Sequence, residues 1–313
     1  MKNIASIIFT ITTVLLVTAC QMSNTDTELP LYTLATLAWI DREGHIEPIN
    51  IPAKNYIYAQ VSPDGSRLAI NARDETSDIW IYDLEAENLR RLTQDAESNI
   101  GPLWAPDGRI AYTRIIDGKQ EIVIQAADLF SPAEPLTLFF THDINKYPTS
   151  FSEDEETLIF HSSPNGYDMW SLALNGGNEN FQALFISEFR ETNGVLSPDG
   201  HWLAYELDET GGLEIYVSPF PNVDSGRIQI SVDGGSRPHW HSDGNELFYI
   251  DQFENELSGA MMVVDFDTNS GTIVGRPELL FEGIFHSPLQ GQGRQLYDVS
   301  ADGQRFLMIQ KAQ

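Results

Sequence analysis

Six times along its 313 residues the chain repeats one pattern: an apolar run, a turn built on aspartate, and a second apolar run. Val61-Ser62-Pro63-Asp64-Gly65 precedes Leu68-Ala69-Ile70, and Trp104-Ala105-Pro106-Asp107-Gly108 precedes Ile110-Ala111-Tyr112. Phe151-Ser152-Glu153-Asp154 leads to Leu158-Ile159-Phe160, and Leu196-Ser197-Pro198-Asp199-Gly200 to Leu203-Ala204-Tyr205. Trp240-His241-Ser242-Asp243-Gly244 leads to Leu247-Phe248-Tyr249, and Val299-Ser300-Ala301-Asp302-Gly303 to Phe306-Leu307-Met308. The aspartates stand 43, 47, 45, 44 and 59 residues apart. Asp-Gly closes a tight hairpin because glycine accepts positive φ and the aspartate side chain hydrogen-bonds the turn backbone.

A second pattern follows in most copies. Asp78, Glu121, Asp168 and Glu214 each precede a β-rich run, and a fourth strand ends near Leu92-Thr93, Leu136-Thr137, Ala183-Leu184 or Gln229-Ile230. Four strands per unit with a period in the forties predict propeller blades. The last copy holds only two strands, over residues 295–299 and 305–310. The missing pair stands near the start, as Leu37-Ala38-Trp39-Ile40-Asp41 and residues 46–49 after the turn Arg42-Glu43-Gly44. The expected fold is therefore an all-β, six-bladed propeller of four-stranded antiparallel blades, its last blade shared by N- and C-terminal strands. Pairing the two ends removes an exposed sheet edge.

The repeat resembles TolB-like and WD-repeat-like propellers. Trp39-Ile40-Asp41-Arg42-Glu43-Gly44, Asp78-Ile79-Trp80-Ile81-Tyr82-Asp83, Ile215-Tyr216-Val217-Ser218-Pro219-Phe220 and Tyr297-Asp298-Val299-Ser300-Ala301-Asp302-Gly303 are similar to the propeller half of certain bacterial serine/threonine kinases. The likeness covers about residues 33–311. The kinase glycine-rich loop, its strand lysine and its catalytic-loop and metal-binding motifs are absent, so the resemblance does not imply kinase activity. For TolB-type propellers it implies recognition of an envelope protein or peptide. A propeller by itself hosts many activities.

Lys2 and the apolar run over residues 4–17 read as a signal peptide, too short to span a membrane. Leu16-Val17-Thr18-Ala19-Cys20 resembles the lipobox of bacterial lipoproteins, which implies lipidation at Cys20 and cleavage before it. The resulting division is a signal peptide over 1–19, a lipidated polar tether over 20–31 and a propeller over 32–313. Gln21, where aspartate would imply inner-membrane retention in that family, points to the outer membrane, with the propeller in the periplasm. Cys20 is the only cysteine, so no disulfide forms within the chain. With 46 acidic and 18 basic residues the formal charge is −28, which argues against nucleic-acid binding and against adsorption to anionic lipid. Membrane attachment then rests on the lipid alone, and a monomer is expected. A cationic partner is one meaning of the charge; solubility is the other.

The recurring Asp64, Asp107, Asp154, Asp199, Asp243 and Asp302 are read as turn architecture rather than metal ligands, because a residue present in every blade serves the blade. Asp78, Glu121, Asp168 and Glu214 are expected to bond backbone donors. Asp265-Phe266-Asp267-Thr268-Asn269-Ser270-Gly271 departs from the calcium-loop pattern and reads as a hairpin. His239 and His241 flank Trp240 in an innermost strand and are expected to be packed or hydrogen-bonded. No serine-hydrolase or zincin motif is found; catalytic residues, metal and cofactors are all expected to be none.

Strand alternation puts all Asp-Gly turns on one face. On the other, Tyr58, Asn99, Lys146, Tyr147, Glu191, Asn193, Arg237 and Arg294 precede or begin the inner strands and differ from blade to blade. They form the candidate ligand site at the channel mouth. Lys146, Arg237 and Arg294 would either bind an anionic group there or pair with nearby carboxylates. Residues 283–294 are glycine-rich and read as a loop, either a lid or a simple connection. Two functions follow: a non-catalytic envelope binding module, or a hydrolase or lyase acting on carbohydrate or peptide. Two close carboxylates or a His–carboxylate cluster in an open cavity would favour the second.

Overall fold

A computed structural model describes residues 34–94, 98–128, 132–136, 145–163, 168–175, 181–185, 187–252, 258–284 and 295–312. Cys20, the proposed signal and tether, Arg294 and most of the 283–294 loop lie outside them. Six four-stranded antiparallel sheets follow one another within the unit Tyr32–Gln313. Blade 1 holds Tyr56–Val61, Arg67–Arg73, Ser77–Asp83 and Asn88–Arg91 from axis to rim. Blades 2 to 5 begin on the axis with Ser98–Trp104, Asn145–Phe151, Glu191–Leu196 and Ser236–Trp240. Blade 6 takes Tyr297–Val299 and Arg305–Lys311 from the C-terminal end, then Ala35–Asp41 and Ile46–Pro48 from the N-terminal end. Its shared construction is as the repeat predicts, with seven residue pairs joining Ala35–Asp41 to Arg305–Lys311.

Burial explains why the ring holds. Strand residues such as Leu68 and Ile70, or Leu203 and Tyr205, alternate with the opposite face and bury against neighbours. The core falls into six apolar clusters, one at each junction between successive blades. The closing junction packs Leu37, Trp39, Leu307 and Ile309 of blade 6 against Tyr56, Leu68 and Ile70 of blade 1.

Four of the six turns also carry a serine two residues before the aspartate, where blades 2 and 5 have Ala105 and His241. Ser62 Oγ donates to Asp64 Oδ1 at 2.6 Å and accepts the Arg67 N–H at 2.9 Å. Asp64 Oδ1 also accepts the Ser66 N–H. The Ser62 hydroxyl and the Ser66 N–H hold the Asp64 carboxyl down to about 2. Ser152–Asp154, Ser197–Asp199 and Ser300–Asp302 repeat the same bonds. In blade 3 Glu155 takes the glycine position at φ 58°. Turn chemistry thus accounts for the recurring aspartates. The Asp265–Gly271 segment is likewise a hairpin between Ser258–Asp267 and Thr272–Ile284, with Asp267 accepting the Asn269 N–H.

The carboxylates ahead of the third strands work largely through side chains. Thr93 Oγ1 accepts the Ile79 N–H and donates to Asp78. Ser231 Oγ does the same between the Ile215 N–H and Glu214, which also accepts the Gly234 N–H. Glu121 pairs with Arg114. Of these three, only Glu214 bonds a backbone donor directly among the described residues.

Leu307 is fully buried at the closing junction. Leu307→Ala is expected to cost about 2–5 kcal/mol, the range for a buried leucine truncation, read as a lowered urea midpoint. An unchanged midpoint would mean that the end-to-end pairing does not carry the ring.

Candidate functional site

Counting back from each turn aspartate shows what lies on the axis. Four residues before it stand Gln60, Leu103, Ser150, Val195, His239 and Asp298. Three before it stand Val61, Trp104, Phe151, Leu196, Trp240 and Val299. One before it stand Pro63, Pro106, Glu153, Pro198, Ser242 and Ala301. All eighteen line one cavity of about 620 Å3 on the pseudo-sixfold axis. Because turn residues form its outer wall, this funnel opens on the Asp-Gly face. Below it lies a waist of about 40 Å3, lined by Tyr58, Gly101, Pro148 and Asn193, all six residues before the aspartate, and by Tyr147, His161 and Gln295.

β-Bulges separate the two levels. Five of the six inner strands slip register, between Tyr56 and Tyr58, Ile100 and Leu103, Pro148 and Ser150, Thr192 and Val195, and Ser236 and His239. A bulge inserts one residue and re-aims its neighbours. Gly101, Asn193 and Arg237 sit at equivalent places with φ of 65°, 51° and 58°.

The funnel wall doubles as the joint between blades. Asp298 Oδ2 accepts the Val61 N–H at 2.6 Å, Gln60 Oε1 the Trp104 N–H at 2.7 Å, and Ser150 Oγ the Leu196 N–H at 3.0 Å. Each is a side chain four before one turn aspartate bonded to the backbone three before the next. The Trp104 and Trp240 indoles donate to the Gln60 and Val195 carbonyls of the preceding blades.

His239 lies in this wall, hydrogen-bonded as its sequence position suggests. Nδ1 is 2.8 Å from the Trp240 carbonyl and Nε2 is 2.7 Å from Asp298 Oδ1. Both partners are acceptors, so the ring satisfies both only as an imidazolium donating twice. Burial opposes that charge, but the Asp298 carboxylate outweighs it and raises the His239 pKa above 6.5. His241 faces its own turn, with Nδ1 accepting the Asp243 N–H.

The residues singled out from sequence divide among three places. Tyr58 lines both cavities, while Tyr147 and Asn193 line the waist. Asn99, Lys146, Glu191 and Arg237 are buried and line neither cavity. The Asn99 carbonyl accepts from Asn71 Nδ2, and the Lys146 ammonium donates to the Gln120 carbonyl at 3.0 Å. Burial raises the Glu191 carboxyl pKa, against the lowering effect of the Ser187 hydroxyl. Arg237 Nη1 reaches Glu206 Oε1 at 2.8 Å, so its charge is met by a carboxylate. Glu206 is fully buried and also accepts from Thr192, Asn193 and the Arg237 N–H. Burial raises the Glu206 pKa, but Arg237 and these donors overcome it and hold the carboxyl at about 2.

Glu206→Gln leaves Arg237 charged and buried without its counter-ion. It is expected to cost about 3–5 kcal/mol in urea unfolding, with part recovered when Arg237→Met is added. His239 has the opposite pH sign. Its folded pKa lies above the ordinary 6.5, so its contribution is complete below that value and lost as pH rises through the raised one. The wild-type urea midpoint should therefore fall above about pH 6.5, and His239→Gln should flatten that fall. Equal slopes in the two proteins would remove the imidazolium.

No family model matches the chain. It is 22% identical over 247 residues to a protein of Sulfurisphaera tokodaii described as a tricorn-like protease C-terminal subunit, covering 75% of this chain and 27% of that one. It is 21% identical over 236 residues to the Tol-Pal system protein TolB of Helicobacter hepaticus, covering 72% and 44%. The chain thus spans less than half the length of either relative. A solved structure described as TolB from Agrobacterium tumefaciens superposes with a TM-score of 0.71 at 18% identity, over 90% of this chain and 99% of that one. The fold is that of a TolB-like six-bladed β-propeller.

Proposed function

We propose that the chain is a non-catalytic binding protein of a bacterial envelope whose axial funnel takes a segment of a protein or peptide partner. The carrying observation is the funnel itself. Eighteen residues reach it from equivalent positions in six blades, yet their chemistry differs from blade to blade. Repeated positions build the frame, and the position four before the aspartate, where Gln60, Leu103, Ser150, Val195, His239 and Asp298 all differ, makes the site singular. Likeness to TolB of a Tol-Pal system supports a protein ligand. Lipidation at Cys20, a tether over residues 20–31 and an outer-membrane, periplasmic location complete the reading, which rests on the lipobox-like sequence.

The hydrolase or lyase reading requires a free base or paired carboxylates. The His–carboxylate pair that the funnel holds is committed: His239 uses both nitrogens, and both Asp298 oxygens accept bonds. That arrangement supports a joint between blades.

Ala301 is an exposed turn residue at the funnel lip. Ala301→Trp should fill the opening without entering the core. In an envelope pull-down with the lipidated protein, it is expected to lose the partner that wild type captures while keeping the wild-type urea midpoint. Capture of the same partner by both proteins would place binding elsewhere. Cys20→Ser is expected to move the protein from the membrane fraction to the soluble periplasm; retention in the membrane fraction would sink the lipid anchor.

A further inference from the structure

The charge around the funnel is strongly one-sided. Asp64, Asp107, Asp154, Asp199, Asp243 and Asp302 ring the opening, and all are exposed. Turn hydroxyls and N–H groups keep Asp64, Asp154 and Asp302 ionised far below neutral pH. Glu153 adds a carboxylate on the wall itself. Basic residues beside these turns offset part of this charge, Arg109 by pairing with Asp107 of the ring itself, and leave the rest in excess. Arg42 pairs with Glu246, Arg109 with Asp107, and Arg305 lies 3.5 Å from Glu47. Arg67 lies over the Trp104 ring, 5.1 Å from its centre.

The base of the funnel points to a donor. Gln295 lines both cavities, and its amide nitrogen is held by the Pro238 carbonyl at 2.8 Å. Its Oε1 is buried and has no hydrogen-bond partner among the described residues. An acceptor left in that state costs about 1–3 kcal/mol until an N–H reaches it. At about 620 Å3 the funnel is within the range of ligand sites and admits a stretch of chain rather than a folded domain.

We propose that the occupant of the funnel is a basic polypeptide segment, its lysine or arginine side chains facing the ring of turn carboxylates. This rests on the reading of the funnel as a polypeptide site and names the class of segment it selects. Opposite charge steers encounter and rejects acidic competitors. Phe151, Val61 and Pro63, which line the funnel and keep exposed surface, give the aliphatic stems an apolar contact.

Three fluorescein-labelled decapeptides, alternating alanine with lysine, glutamate or serine, test this by fluorescence anisotropy on the full chain in detergent. The lysine peptide is expected to bind at least about tenfold tighter than the glutamate peptide and to weaken as salt rises from about 0.05 M to about 0.5 M. Ala301→Trp should abolish that binding, and Glu153→Lys, which leaves the opening clear, should weaken it several-fold. If all three peptides bind alike and Ala301→Trp abolishes each, the funnel reading stands and the charge selection is wrong. If the lysine peptide binds wild type and Ala301→Trp equally, contact is with the outer acidic surface and both readings fall. If no peptide binds, the basic segment is overturned as the ligand class.

Discussion

The register between Ala35–Asp41 and Arg305–Lys311 is the constraint on which the rest of the molecule depends. These strands lie at the two ends of the described chain, so the pairing is paid for by closing a very long loop. The entropy cost of such closure grows only logarithmically with length. Apolar contacts on both sides of blade 6 offset it: Leu37 and Leu307 against blade 1, Ile40 and Phe306 against blade 5. Without blade 6 the axis would not exist, because no other element would hold Val61 of blade 1 opposite His239 of blade 5. Asp298 does so directly, with one oxygen on each.

That bond shows why the funnel is polar without being chemically idle. An inner strand has lateral partners on one side only, so some of its backbone N–H groups face the next blade. Asp298, Gln60 and Ser150 supply acceptors at three of the six junctions. At Trp104 and Trp240 the indole N–H reaches back across the same gap. Side chains four before the turn aspartate therefore serve the joint and the cavity wall together. Replacing one changes stability and lining at once, which is why ligand binding has to be probed at the lip, at Ala301 or Glu153.

The blades, their order and the shared sixth sheet were legible because strand alternation and Asp-Gly turns are local properties. The bulges were not. They arise from how an inner strand meets its neighbour, and nothing in Thr192-Asn193-Gly194-Val195 announces one extra residue. Counting straight down the strand put the site near Asn99, Lys146 and Glu191, which are buried among neighbours instead. One available signal lay unused. The turn aspartates serve the turn, but the residue four before each one differs in every copy while keeping a fixed place. Gln60, Ser150, His239 and Asp298 were visible on that count. The hydroxyl relays through Thr93 and Ser231 were hidden for another reason: each partner lies beyond the fourth strand, 15 and 17 residues away in sequence.

A division of labour between fixed and free positions explains how a fold can be shared at 18% identity. In four of the six turns a serine and the aspartate bond one another and the following strand, and the apolar residues behind the turns fill the six junctions. Changes there break a blade. The residue just before each turn aspartate makes little of the fold: proline, glutamate, serine and alanine all occupy it here. The blades interlock through six apolar junctions, so the frame of the mouth is set by the fold. Selection then falls on those few lip and wall side chains, over a permanent background of turn carboxylates. An acidic rim comes with the Asp turn itself, so a propeller built on this repeat is biased towards cations before any binding residue is chosen. A chain of this type that took an anionic ligand would have to overcome that bias with basic residues at the lip. Among the described residues lining it, that lip carries Glu153 and no lysine or arginine.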